Sequence, residues 1–302
     1  MWFKNLRVFR LTQPWTLTHE ELNEKLNALV FNPCGSLDLF RYGFTPPLGR
    51  DSEELVHSTN GRMMICAKRQ EKILPSGVIK EHIEEKTLSI ENTEQRKLSR
   101  KEKQNLKDEI IFSLLPKAFT KSRLDFAYID PKTNWIIVNS ASAKRAEDLM
   151  SKLREALGSL PSIPLTTKHL PTQIMTRWLR EARVGNELEL GDECELIANK
   201  DGRIIRCKKQ DLTASEIRNH LDLGMQVNKL TLIWKESVQL LIDEQCAIKR
   251  LKFEGDITDQ NNGRQPETKA EQFDLDFSIM ALELDALIKL LIKQFGGIEN
   301  AD

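Results

Sequence analysis

The side chains in this sequence best placed to do chemistry are cations. Arg96, Lys97, Arg100, Lys101, Lys103 and Lys107 crowd one short stretch. Arg100, Lys103 and Lys107 recur at i, i+3 and i+7, so in a helix they share a face. Arg206 and Lys208 alternate along one predicted strand, and Arg250 and Lys252 along another, which puts each pair on one side of its strand. Lys209 closes the first of those strands. The chemistry open to such sets is electrostatic: gripping the phosphates of a polyanion without reading its bases. The competing account is solvated surface, with Glu102 and Asp108 offsetting the lysines of the first set and ordinary solvent faces on the strands.

Covalent chemistry finds no foothold in the sequence. It has no G-x-x-x-x-G-K-[ST], no G-x-G-x-x-G after a strand, no H-E-x-x-H and no G-x-S-x-G. His19, His57, His82, His169 and His220 are scattered. Glu53-Glu54 and Glu84-Glu85 are adjacent pairs, so their carboxylates point apart and suit general acid–base work poorly. Cys34, Cys66, Cys194, Cys207 and Cys246 are odd in number and contain no C-x-x-C, which argues against a disulfide framework or a zinc site and fits a reducing cytoplasm with buried, inert thiols. Trp178 and Trp234 sit on apolar faces and read as core. The expectation is a protein without catalytic residues, metal or cofactor.

Elements must carry these cations. The 302 residues hold 45 Lys and Arg against 45 Asp and Glu, so the net charge is zero and any affinity for a polyanion must come from sorting charge in space. Arg62–Arg123 leans basic and Glu254–Asp302 leans acidic. Pro75 and Pro116 bracket a helical hairpin, 76–116: a polar helix capped by Ser76 and running from about Val78 to Leu98, then a second from the Ser99–Glu102 capping box to about Leu115, with Leu106, Ile110 and Leu114 as its apolar stripe. Its polarity suggests that it protrudes from the body.

Around the hairpin, Asn5–Leu11 reads as a strand with apolar residues on both sides, suited to cover on both faces. Thr18 and Glu21 cap a short helix. Leu55–His57 and Arg62–Lys68 flank Asn60-Gly61 as a strand pair. Strands over Leu124–Ile129 and Trp135–Val138 precede a helix begun by Ser140 or Ser142 and ended by Gly158. The proline-punctuated crossover after it divides 1–160 from 161–302, two α+β regions or one continuous domain. Beyond it lie an amphipathic helix over Gln173–Arg183 and strands over Glu193–Ala198 and Arg203–Lys209. A helix boxed by Thr213 and Glu216 follows, then strands over Val227–Trp234, Val238–Ile242 and Ala247–Phe253. A polar loop over Gly255–Lys269 leads to a closing helix over Phe273–Phe295. Strands grouped between helices indicate α+β with antiparallel sheets. The segment MWFKNLRVFRL is too charged for a signal peptide, and no apolar run approaches the roughly twenty residues of a membrane span.

Several blocks together resemble the recombination-associated RdgC family: WFKNL at Trp2, NPCGS at Asn32, QEKILPS at Gln70, LKDEIIFSLLPKAF at Leu106, ASAKRAED at Ala141, GSLP at Gly158, KKQDLT at Lys208 and KRLKF at Lys249. They occur in order over almost the whole chain. The resemblance brings no catalytic residue. It implies a ring-forming homodimer that encircles double-stranded DNA with little sequence preference, associates with the nucleoid in the cytoplasm, and limits access of a RecA-type recombinase. It places Phe119 as an apolar anchor at a dimer contact, with Lys208, Lys209 and Gln210 near it. The basic positions named above, together with Lys117, would then face the hole. Gly77 stands where the family pattern suggests proline, a departure expected to loosen the start of the first helix. The reading from another class is a protein-interaction scaffold whose hairpin docks a partner such as the recombinase.

Overall fold

A strand with apolar side chains on both sides needs two cores, and the first strand has them. β1 (Arg7–Leu11) sends Val8 into one core and Phe9 and Leu11 into another. The computed structural model describes residues 2–253 and 266–299.

β1 belongs to a seven-stranded antiparallel sheet with β2 (Phe40–Thr45), β3 (Val56–Thr59), β4 (Arg62–Lys72), β5 (Thr120–Asp130), β6 (Trp135–Val138) and β7 (Ser162–Pro164). Its order is β2-β4-β5-β6-β1-β7, and β3 also pairs with β4. Two-residue alternation splits the sheet cleanly. Met63, Ile65, Ala127, Ile129, Ile136 and Val138 face α1 (His19–Asn27) and α4 (Ala143–Leu157), while Met64, Tyr128, Trp135 and Ile137 face the rest of the molecule.

Five further strands form a second antiparallel sheet: β8 (Leu188–Ala198), β9 (Ile204–Lys208), β10 (Met225–Trp234), β11 (Val238–Asp243) and β12 (Ile248–Phe253), in the order β12-β11-β10-β8-β9. Its apolar face, α5 (Pro171–Glu181), α6 (Ser215–Asp222) and the closing helix α7 (Lys269–Gln294) share one core with the inner face of the first sheet. α7 contributes Phe277, Met280, Leu284, Leu287, Ile288 and Leu291. The antiparallel α+β architecture matches the expectation. Trp178 and Trp234 are core residues, 4% and 1% exposed.

The two hairpin helices are α2 (Ser76–Glu94) and α3 (Arg100–Leu114). Lys86–Glu109 at 3.3 Å and Lys103–Glu91 at 3.9 Å tie them antiparallel. No α2 residue is fully buried, and α3 buries only Leu106 and Ile110.

Several local expectations are corrected. Ser76 does not cap α2: Pro75 occupies that place without a side-chain bond, and the helix stops at Glu94 because Gln95 turns left-handed, φ 51°. Thr213 and Glu216 form no capping box; the Thr213 hydroxyl donates to Asp211 at 2.7 Å, and α6 starts after Ala214. α7 begins four residues before Phe273, capped by a Thr268–Glu271 box. β2 and β7 were not anticipated, and β7 joins the proline-rich crossover to the first sheet through β1. Of the loop expected over 255–269, residues 255–265 lie outside the described residues.

Candidate nucleic-acid interface

Strand alternation that buries one row of side chains exposes the next. On β8 and β9, Cys194, Leu196, Ile205 and Cys207 turn toward the core, so Glu193, Glu195, Arg206 and Lys208 occupy the outer face. The register sets Glu193 opposite Lys208 and Glu195 opposite Arg206.

Glu195 is 6% exposed and accepts hydrogen bonds from Arg206 Nε at 2.7 Å, Lys229 Nζ at 2.7 Å and Asn228 Nδ2 at 2.9 Å. Burial opposes its charge, but the three donors outweigh that penalty and hold its pKa at about 2. Arg206 and Lys229 are therefore engaged with a carboxylate inside the sheet.

Glu193 takes Arg250 Nη2 at 2.8 Å. That bond, aided by the nearby charges of Lys208 and Lys209, holds Glu193 below the usual carboxylate range. β10 and β11 separate β12 from β8, and a flat sheet would put those strands about 14 Å apart. The extended arginine, the glutamate and the 2.8 Å bond between them together cover about that distance, so the pair bridges from β12 to β8 across the sheet. A groove of about 610 Å³ lies along this pair, lined among others by Asp192, Glu193, Thr231, Gln239, Arg250 and Lys252.

Arg250 and Lys252 both line this groove, but strict alternation is not the reason. The ladder shifts register between Gln239↔Lys252 and Leu241↔Lys249, and Arg250 is left-handed at φ 52°. This β-bulge adds a residue, turns Arg250 toward Glu193 and gives its N–H to Asn5 Oδ1 at 3.2 Å. Lys209 is also left-handed, φ 53°, and lies just past β9 rather than in it. Gln210 follows, exposed, its N–H donating to Asp192 O at 3.1 Å.

The hairpin cations divide in the same way. Arg96 is bound by Glu94 at 2.6 Å and Glu102 at 2.7 Å, and Lys103 by Glu91. Glu102 closes the capping box on Ser99 and is held at about 2 by the Arg96 hydrogen bonds and those of Ser99. Lys97, Arg100, Lys101 and Lys107 are exposed and have no ion-pair partner among the described residues. Lys117, Lys208, Lys209 and Lys252 are exposed in the same sense.

Phe119 is 84% exposed. Its backbone is fixed, since its carbonyl accepts the Ile73 N–H at 2.8 Å, so the ring is presented to solvent from an ordered position. Sequence reasoning missed the carboxylates: Glu193 and Glu195 oppose Arg206 and Lys208 only once the register is set. Among the described residues no group of three or more His, Cys, Asp or Glu side chains could hold a metal ion, and no helix is long and apolar enough to cross a membrane.

The comparisons with known sequences cover almost the whole chain. Residues 1–298 match the sequence profile of the family described as "Putative exonuclease, RdgC". The recombination-associated proteins RdgC of Yersinia enterocolitica and of Yersinia pestis are each 45% identical over 298 residues, covering 98% of this chain and 98% of the relative. With the match running from the first strand to the closing helix, the chain belongs to the RdgC family.

Proposed function

We propose that this protein binds double-stranded DNA without catalysing its cleavage. It acts as a ring-shaped homodimer that encloses the duplex, tolerates any sequence, and limits a RecA-type recombinase's access to DNA. The observation that carries the reading is the set of cations left over after internal pairing among the described residues: Lys208, Lys209 and Lys252 on and beside the second sheet, and Lys97, Arg100, Lys101, Lys107 and Lys117 on the hairpin and its exit. Unpaired cations are free to displace counterions from phosphate, whereas Arg206 and Arg96 must first leave a carboxylate. Phe119 serves as the subunit anchor, with the Lys208–Gln210 segment near it across the contact. The curated relatives are named for an association with recombination, which supports the same setting.

The test is retention of duplexes by a variant reversed in charge at Arg100, Lys101 and Lys103. Loss of retention is expected. Intact retention with lost recombinase binding would favour the scaffold reading instead, for which the exposed Leu88 and Phe112 of α2 and α3 offer a docking face.

A further inference from the structure

Two of the five thiols are brought face to face by the fold. Cys194 on β8 and Cys207 on β9 are directly opposed in the antiparallel ladder. Cys194 is 4% exposed and Cys207 half-buried, both turned toward the core and away from the charged outer face. Cys34, Cys66 and Cys246 lie on other parts of the chain.

The ladder gives the spacing. The Ala198 N–H donates to the Arg203 carbonyl at 2.9 Å, which makes Ala198–Arg203 a hydrogen-bonded pair. Such pairs recur every second residue, through Leu196–Ile205 to Cys194–Cys207. Cα atoms of a hydrogen-bonded pair lie about 5.5 Å apart, within the roughly 4.4–6.8 Å that a disulfide spans. Cβ atoms of such pairs fall toward the wide end of about 4.5–5.5 Å, roughly 1–1.7 Å beyond the ~3.8 Å of a relaxed disulfide. Closing the bridge therefore draws β9 slightly toward β8. A bond closed under such tension is more reducible than a relaxed one.

We propose that Cys194 and Cys207 form a reversible cross-strand disulfide that staples the edge strand β9 to its sheet. The oxidant is a low-molecular-weight disulfide. Cys207, the more accessible thiol, attacks as thiolate, takes one sulfur of the oxidant and expels the other half as a thiolate. Cys194 then attacks the Cys207 sulfur and expels the second half. Two protein thiols give up two protons and two electrons, and the oxidant's S–S bond is reduced to two thiols. Burial, with the neighbouring Cys207 thiol, pushes the Cys194 thiol up, which disfavours the thiolate that the second step needs. The staple would fix Arg206 opposite Glu195 and Lys208 opposite Glu193, whatever ligand that face takes. The inference does not depend on the DNA reading.

The experiment treats the full chain with oxidised glutathione, alkylates the remaining thiols and maps peptides by mass spectrometry. Lys200, Arg203 and Arg206 lie between the two cysteines, so trypsin separates them and a bridge shows as linked peptides. Expected is a Cys194–Cys207 link as the main oxidised product, alkylated Cys34, Cys66 and Cys246, and reversal by dithiothreitol. Amide exchange in β9 should slow by about tenfold or more in the oxidised protein. Cys194→Ser should stop the reaction at a glutathione adduct on Cys207. A lasting adduct on Cys207 in the unmodified sequence, a link to any other cysteine, or five unreacted thiols would overturn the proposal. The first digest needs no variant, so a misfolded mutant cannot blunt it.

Discussion

Replacing Lys208 and Lys209 together by Gln separates free cations from paired ones. Both side chains are exposed and neither has a carboxylate within ion-pair distance among the described residues. If the lining neutralises about six phosphates, log affinity falls against log salt with a slope near −5, since each phosphate contributes about 0.9. That is about a thousandfold weakening between 50 and 200 mM salt. The double substitution removes two phosphate contacts if one protomer's pair touches the backbone, and four if both do. The slope should then shrink to between about −3 and −1.5, and the same salt step should cost only roughly ten- to sixtyfold. Fluorescence anisotropy of a labelled duplex, titrated at several salt concentrations, reads this directly. Arg206→Gln is the control, because its guanidinium already belongs to Glu195 at 2.7 Å, and the slope should move by less than about one unit. Equal slopes for the original chain and the Lys208/Lys209 variant would refute the assignment. So would an Arg206→Gln change as large as that of the double variant.

Glu195→Gln should cost about 3 kcal/mol near neutral pH, the worth of holding a carboxylate at about 2 rather than 4.5. A depressed carboxylate stabilises above its unfolded pKa and loses that contribution as the proton binds the folded state. The gap in urea unfolding free energy should therefore close as pH falls from about 4.5 to 2, and a gap independent of pH would rule the account out. Phe119→Ala should leave the stability of the protomer within about 0.5 kcal/mol, because its ring is 84% exposed. Sedimentation velocity should show a weaker dimer, with lower duplex affinity; if both stay unchanged, Phe119 is not a subunit anchor.

Features fixed by neighbours in the chain were legible in the sequence. The Thr18–Glu21 and Ser99–Glu102 boxes formed because cap and partner are three residues apart. Asn60-Gly61 turned as expected, with Asn60 and Gly61 at φ 50° and 78°. Features set by distant backbone were not. β2 carries little local signal because Phe40–Thr45 contains Gly43, a poor strand former by propensity. A side chain there would meet the backbone of Phe31 at 2.7 Å, a crowding that no local pattern announces. The Arg250 bulge likewise follows from pairing with Lys4–Leu6 and β11, not from the run Ile248–Phe253 itself. The cations could be found by spacing, but which of them stay free depends on Glu91, Glu193 and Glu195, and these meet their partners only across strands or helices.

The same distant pairing has a consequence for how the chain is made. Leu6 and Ile248 exchange backbone hydrogen bonds at 2.7 and 3.1 Å, Leu251 N–H reaches Lys4 O at 2.8 Å, Trp2 packs on Phe253 with ring centroids 4.7 Å apart, and the buried Phe3 lies against Met280. Between 242 and 277 residues separate these partners, so at ribosomal speeds of about 5–20 residues per second the early segment waits roughly 10–55 s for them. During that interval Trp2, Phe3 and Leu6 lack the partners that bury them and stay exposed on the nascent polypeptide, a natural foothold for a chaperone. Maturation of the protein is in this sense a circular act, in which β12 and α7 come back to shelter residues made more than two hundred positions earlier.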